Sequence, residues 1–131
     1  MKLFLKIFLA VALIIALAIG GLAFYITRGL DTGAKLVIGS IDLNTVEDGV
    51  YEGDYNSGRF SNKVSVTVKD HKIADIELDK DITFSKPEVT KEIFGRVIEE
   101  QDVDVDIVSG ATVSGKAYLK AIENALTEGK Q

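Results

Sequence analysis

The sequence predicts an α+β protein: an N-terminal transmembrane helix followed by a small domain with an antiparallel β-sheet packed against two helices. Three observations predict this class. The chain opens with one long apolar run, its middle alternates apolar and polar residues with a period of two, and its last part carries apolar residues at helical spacing. We expect a membrane anchor in residues 1–28, a connector in 29–47 and a single domain in 48–131.

The opening segment is predicted to cross a membrane. Ile7 to Ile26 is an uninterrupted apolar run, and about 20 residues in a helix span ~30 Å, the thickness of the hydrocarbon core of a bilayer. Phe24 and Tyr25 lie where an interfacial aromatic belt is expected. The run is longer than the ~7–15 apolar residues of a signal peptide, so we expect a retained anchor; cleavage among the small residues Ala16 to Ala23 is the alternative. The short basic N-terminus favours a single-pass protein of the cell membrane whose domain lies outside the cytoplasm.

Composition excludes several classes of function. All 20 acidic residues lie beyond Ile26 and the net charge is −5, which argues against nucleic acid as a partner. The chain has no cysteine and one histidine, His71, which excludes disulfides and thiol chemistry and argues against imidazole-rich metal sites. Asp102, Asp104 and Asp106 follow one extended segment without converging, so we expect no metal site there. Redox chemistry would require an organic cofactor.

Three strands are predicted after the connector. The turn signal Asp48-Gly49 precedes a short strand from Val50 to Tyr55. Lys63 to Lys69 is the clearest strand, because valines at positions 64, 66 and 68 alternate with polar residues. Asp70-His71 is expected to be a tight turn into an antiparallel partner strand. The inward-facing residues of that strand would be Ala74, Ile76 and Leu78.

Two helices follow, separated by one more predicted strand. Ser85 to Glu88 matches an S-x-x-E capping box with proline in the first turn, which predicts a helix running to about Gln101. Residues 103, 105 and 107 are apolar and alternate with aspartates, which predicts a half-buried strand. Ser109 to Ala111 would then turn the chain into a last helix ending near Gly129. The predicted buried faces comprise Val89, Ile93, Phe94, Val97 and Ile98 on the first helix, and Ala117, Tyr118, Ala121, Ile122, Ala125 and Leu126 on the second.

The junction before the last helix, residues 106–112, is the most informative stretch. Its small residues allow backbone to approach backbone, and the N–H groups and dipole of a new helix present partial positive charge. Thr112 is therefore a candidate position for a bound phosphate. On the residues alone the simpler interpretation is the stronger one, because Ser or Thr at a helix start is usually a cap and Gly-Ala in a turn usually serves close packing.

The same residues resemble the FMN-binding domain family, which includes covalent-flavin subunits of the sodium-pumping NADH:quinone reductase and of Rnf-type electron-transfer complexes. The resemblance lies in Asp106, in Ser109-Gly110-Ala111-Thr112 and in the apolar helix that follows. Asp48 to Gly53 is similar to the D-G-x-Y-x-G that opens such domains, and Val64 to Ile73 to their first hairpin. Two motifs in the right order are stronger evidence than one short motif.

The resemblance implies that Thr112 carries FMN through a phosphoester bond, made by a separate flavin transferase that uses FAD and Mg²⁺. Ser109, Gly110 and Ala111 would surround the cofactor, and Asp106 would belong to the motif that the transferase recognises. An exposed strand carboxylate is an equally good interpretation of Asp106. The implied protein is an electron carrier or an oxidoreductase subunit rather than a stand-alone enzyme. A membrane donor such as a quinone-linked protein would reduce it, and an extracytoplasmic acceptor would oxidise it.

The sequence departs from the family pattern at several positions. Asp70-His71 stands where Asp-Gly is common, which allows a wider turn, and we interpret His71 as an exposed turn residue. Gly115 stands where a second hydroxyl residue is frequent, and Ser114 is the second-best acceptor. The long insertions of the larger complex subunits are missing, which puts membership of such a complex in doubt. The alternative from another class is a non-redox envelope module, binding or inhibitory, similar to peptidase propeptides in size and element order.

Overall fold

The computed structural model describes residues 1–28, 30, 35–107 and 111–128. Its helices and strands are α1 (Lys2–Thr27), β1 (Gly49–Tyr55), β2 (Asn62–Lys69), β3 (Lys72–Lys80), α2 (Pro87–Glu100) and α3 (Thr112–Glu128). Short 3₁₀ turns occupy Leu43–Thr45 and Gly58–Phe60. The strands form one antiparallel sheet in the order β1-β2-β3, with α2 and α3 packed against it. The predicted α+β class is confirmed.

Helix α1 has no buried residue along its 26 positions. Among the described residues it is the one helix long and apolar enough to cross a membrane, with a mean hydropathy of 2.8. A signal sequence at an N-terminus can have the same length and composition. The predicted apolar helix is confirmed to this extent.

The sheet builds its inner face from alternate residues of β2. Val64, Val66 and Val68 are at most 2% exposed, and Val66 pairs with Tyr51 on one side and Ile76 on the other. Both β1 and β2 begin one residue before the predicted position. The alternation of valines therefore predicted the orientation of the strand correctly.

The hairpin between β2 and β3 confirms the tight turn predicted at Asp70-His71 and corrects two finer expectations. Lys69 pairs with Lys72 across a two-residue turn in which Asp70 and His71 have φ values of 53° and 60°, so the turn is tight and not wider. A register shift after Thr67 leaves one extra residue in β3. As a result Ile73 is buried and Ala74 is exposed, and the prediction that Ala74 points inward is wrong.

Helix α2 begins later than the capping box suggests. Its N-cap is Lys86, no side chain caps it, and Pro87 occupies the first turn, so the predicted Ser85 cap is wrong. The helix ends at Glu100, and the backbone of its C-cap, Gln101, is left-handed at φ 56°. The Gln101 side chain bonds both the N–H and the carbonyl of Ile73. The predicted buried face is confirmed except that Ile98 is only half-buried, and Thr90 joins it.

The predicted strand over residues 103–107 is wrong, although its pattern of burial is right. Val103 and Val105 are buried while Asp104 and Asp106 are exposed, yet the described part of this segment pairs with no strand. The carboxylate of Asp102 accepts the N–H groups of Val103 and Asp104. The Asp102 side chain thus accepts hydrogen bonds from backbone N–H groups that a β-strand would donate to a neighbouring strand.

Helix α3 packs against β1 and β2, and at Gly53 the backbone of β1 directly contacts the backbone of the helix. A Cβ atom placed on Gly53 would lie 2.2 Å from the carbonyl oxygen of Ala121 and 2.3 Å from the nitrogen of Ala125. The buried Asn62 donates its side-chain N–H to the carbonyl of Ala117 at 3.1 Å. The predicted buried face of α3 is confirmed, with Leu119 in addition. The expected stop at Gly129 lies outside the described residues.

Candidate functional site

Thr112 is the first residue of α3, and it is exposed. The N–H of Gly115 donates to the carbonyl of Ala111 at 2.7 Å, which makes Ala111 the residue that accepts the first bond of the helix. Thr112 therefore stands inside the first turn, where backbone N–H groups have no intrahelical partner and the helix dipole is positive. A phosphate on its hydroxyl would lie in favourable electrostatics.

The other predicted site residues are placed only in part. Ser109 and Gly110 lie outside the described residues. Ala111 is half-buried beside Thr112. Asp106 is exposed, and its backbone carbonyl accepts a bond from Arg96 Nη1 at 2.6 Å. This bond joins the segment that leads into the motif to α2.

Two adjoining depressions flank the start of α3, and together we call them the α3 cleft. The first, of about 250 Å³, is lined by Arg59, Ile82, Phe84, Lys86, Val89, Ala111, Ser114 and Tyr118. The second, of about 300 Å³, is lined by Leu30, Arg59, Phe60, Ala111, Thr112, Val113 and Ser114. The α3 cleft thus combines two cationic side chains with aromatic rings next to an exposed hydroxyl.

Arg59 is held firmly within the α3 cleft. Its guanidinium lies 4.2 Å from the ring centre of Phe60 and 5.8 Å from that of Phe84. Its Nε donates to the carbonyl of Ile26 at 2.6 Å, and its own carbonyl accepts the N–H of Thr83 at 2.9 Å. Arg59 therefore places a fixed positive charge beside the first turn of α3, where it can attract an anion.

Tyr118 forms one wall of the α3 cleft. Its hydroxyl donates to Asp81 Oδ1 at 2.6 Å and accepts from Thr90 Oγ1 at 3.2 Å. Burial, together with the hydrogen bond to Asp81, raises the pKa of Tyr118 above its ordinary value. The hydroxyl stays protonated at neutral pH and holds α3, α2 and the end of β3 together.

Gly115 explains one departure from the family pattern. A Cβ atom there would lie 2.5 Å from Ile107 Cγ2 and 2.8 Å from Ile93 Cδ1. A hydroxyl residue at this position would require both isoleucines to move. Glycine thus allows Ile107 to pack directly on α3 just before the motif.

His71 lies on the hairpin turn and is exposed, as expected. Its Nδ1 is 3.0 Å from the carbonyl oxygen of Val46 and 3.2 Å from that of Leu43, so the ring nitrogen must donate a proton there. It joins the turn to the connector and does not line the α3 cleft. Within the described residues, no cluster of His, Asp and Glu is arranged to hold a metal ion.

Sequence reasoning missed Arg59, Phe84 and Lys86. They lie in loops without periodicity, far along the chain from Thr112, and only the fold brings them to α3. One weak signal was available in the sequence: Phe84 is an aromatic residue between the polar Thr83 and Ser85. The structure leaves its side chain 65% exposed.

Fold and site together define a small α+β domain that can hold an anionic, aromatic ligand at the start of one helix. The family described as the FMN-binding domain matches residues 61–127, more than half of the chain. The chain belongs to that family. The matched region contains Thr112 and begins after the Asp48–Gly53 motif, so that second part of the resemblance stays a prediction. A comparison with curated proteins finds no match.

The residues of the α3 cleft suit FMN, which joins a phosphate group to a flat, largely apolar ring system. Arg59 and the N–H groups of the first turn of α3 suit the phosphate. The rings of Phe60 and Phe84 offer aromatic surface within the same cleft. Flavin binding, as the family membership indicates, is thus compatible with the chemistry of the side chains that line the cleft.

Proposed function

We propose that this protein is a membrane-anchored flavoprotein that carries electrons through FMN attached covalently to Thr112, with its domain outside the cytoplasm. One observation supports this most directly. Thr112 presents an exposed hydroxyl-bearing side chain in the first turn of α3, in a depression that Arg59 also lines and inside the region that matches the FMN-binding family.

The attachment is a phosphoryl transfer that a separate flavin transferase carries out with FAD and Mg²⁺. The oxygen of the Thr112 hydroxyl forms a bond to the phosphorus of the FMN half of FAD, the bond between the two phosphates breaks, and AMP leaves. The hydroxyl proton passes to the transferase or to solvent. The resulting phosphodiester keeps one negative charge, which the helix dipole and Arg59 stabilise.

Bound FMN accepts one or two electrons, so it can connect a two-electron donor to a one-electron acceptor. The chain has no G-x-G-x-x-G fingerprint for a nicotinamide cofactor. Electrons would therefore arrive from a partner, such as a quinone-linked membrane protein, and leave to an extracytoplasmic acceptor. This chain would hold the flavin and tune its potential.

The deciding experiment replaces Thr112 by valine in the full-length chain, co-expressed with a flavin transferase. Valine keeps the shape of the side chain and removes the oxygen, so we expect a folded, colourless protein without the added mass of FMN. Intact mass and in-gel flavin fluorescence measure this. Ser114→Ala is the matched control, because it removes a hydroxyl from the same cleft, and it should stay yellow.

Thr112→Ser should still be modified, with a lower yield per hour, because serine retains the nucleophile but lacks the β-methyl that restricts the rotamer of threonine. Covalent flavin on Thr112→Val would show that the acceptor is another residue. A wild-type chain that acquires no flavin beside an active transferase would favour the non-redox envelope module.

The membrane placement has its own test. The full-length protein should stay in membranes after high-salt and alkaline washing, and protease should reach the domain only from outside the cell. A soluble mature chain beginning near Ala23 would contradict a retained anchor while leaving flavin attachment possible.

A further inference from the structure

The last turn of α1 contacts the loops that line the α3 cleft. The Tyr25 hydroxyl is 3.2 Å from Thr83 Oγ1, and the Ile26 carbonyl accepts the bond from Arg59 at 2.6 Å. A Cβ atom on Gly58 would lie 3.1 Å from the carbonyl oxygen of Arg28. These contacts place the mouth of the cleft at the level where the apolar helix ends.

The side chains next to these contacts have the composition of a membrane-interface surface. Phe84 directly follows Thr83 and is 65% exposed, with φ at 63°. Lys86 is exposed two residues further on, and the Arg59 guanidinium lies 5.8 Å from the Phe84 ring. An exposed aromatic ring flanked by cations is typical of the region where lipid headgroups meet acyl chains.

We propose that this face, which we call the interface patch and define as Tyr25, Arg59, Phe84 and Lys86, rests on the bilayer. The exposed part of the Phe84 ring enters the interfacial region and Lys86 faces anionic phospholipid headgroups, while Arg59, bonded to the Ile26 carbonyl, stays behind them at the start of α3. Continuity with the end of α1 supports this occupant, because a span that ends at Thr27 brings the patch to the bilayer surface. The charge also fits, since the patch is cationic on a chain with net charge −5. The inference requires α1 to be retained and does not require flavin.

The test uses tryptophan, which the natural sequence lacks. Phe84→Trp in the full-length chain gives a single indole on the interface patch, and Val50→Trp gives a matched control. Val50 is also exposed, and it lies toward the opposite end of β1 from the Arg59 turn, roughly 17 Å along the strand from Tyr55. Each variant is reconstituted into vesicles of phosphatidylcholine and phosphatidylglycerol, with and without bromine on the acyl chains near the headgroup.

We expect the emission of Phe84→Trp to be blue-shifted and at least twofold weaker in brominated vesicles than in matched unbrominated ones, and that of Val50→Trp to be unchanged. Adding Lys86→Glu to Phe84→Trp should reduce the quenching in vesicles with phosphatidylglycerol more than in pure phosphatidylcholine. Equal quenching of the two indoles, or release of the domain from the vesicles, would overturn the proposal. Both variants are made without a flavin transferase, so the quenching ratio reports the position of the indole alone and is distinct from failure of attachment at Thr112.

Discussion

The two ends of α3 differ sharply in how they meet the rest of the domain. Toward the C-terminus, Ala121, Ile122 and Ala125 are fully buried, and Gly53 brings the backbone of β1 against them. In the first turn, Thr112 is exposed and Ser114 is half-buried. One helix therefore stabilises the fold at one end and presents hydroxyl side chains at the other, so stability and the proposed flavin loading should respond to different substitutions.

Gly53→Ala should have the largest effect. The new Cβ atom would meet backbone atoms of Ala121 and Ala125 at 2.2 to 2.6 Å, and the two backbones would have to separate. We expect a loss of more than ~4 kcal/mol in the free energy of unfolding, enough to unfold most of the chain. Denaturant titration followed by circular dichroism measures this.

Gly95→Ala is the control for Gly53→Ala. Gly95 lies within α2, and a Cβ atom there meets nothing within 4 Å. Alanine should raise the free energy of unfolding by about 0.5–1 kcal/mol, because it is the better helix former. Equal effects at the two positions would show that the contact between β1 and α3 does not matter.

Ile122→Ala should cost ~2–4 kcal/mol, and Val66→Ala on the facing strand should cost somewhat less because fewer methyl groups are removed. Both side chains are 0% exposed. The free energies of unfolding from the same titration measure these costs. Values below ~1 kcal/mol would show that the C-terminal part of α3 is not the stabilising end.

Asp102→Asn should change the pH dependence of stability. Burial raises the pKa of Asp102, but N–H groups of Ile41, Asp104 and Val103 and the Ser40 side chain bond the carboxylate and together lower the pKa below its ordinary 3.8. The unfolded chain therefore binds more protons near that pH. The stabilisation is present above pH 3.8 and is lost as the pH falls through the lower, folded value.

Unfolding measured between neutral pH and pH 3 tests this. The natural chain should lose more stability on acidification than Asp102→Asn does. Parallel curves for the two proteins would show that the bonds to Asp102 contribute nothing to the segment that leads from α2 to the motif.

Thr112→Val should have the smallest effect on stability, under ~0.5 kcal/mol in protein made without flavin, because the side chain is exposed and Ala111 accepts the first helical bond. Titration of both proteins measures the difference. A cost near 1 kcal/mol or more would show that the threonine caps the helix, which is the simpler interpretation of its sequence.

The sequence predicted those parts of the fold that have a local periodicity. The valines of β2 and the apolar faces of α2 and α3 appear in the chain at spacings of two and of three to four, and these spacings decide which side is buried. Ala74 does not follow the alternation, because a bulge in β3 shifts the register there. A bulge depends on how β3 pairs with β2, and the residues of β3 alone do not reveal it.

The other differences between the predicted and the observed structure have different physical causes. Residues 103–107 alternate like a strand, but the Asp102 carboxylate takes backbone N–H groups that a strand would use. At the site, the family resemblance was carried by residues 106–112, whereas Arg59, Phe84 and Lys86 reach the same cleft through tertiary packing alone. No pattern within their own segments indicates that proximity.

The backbone contact at Gly53 also determines the rotation of α3 about its own axis, and therefore the direction in which the Thr112 side chain points. Each residue of an α-helix advances ~1.5 Å and rotates ~100°. If α3 slid by one residue against β1, the side chain of Thr112 would turn by about a quarter of a circle or more, away from Arg59 and out of the cleft. Gly53, which is buried under the C-terminal half of α3, therefore determines the direction in which Thr112 points at the other end of the helix.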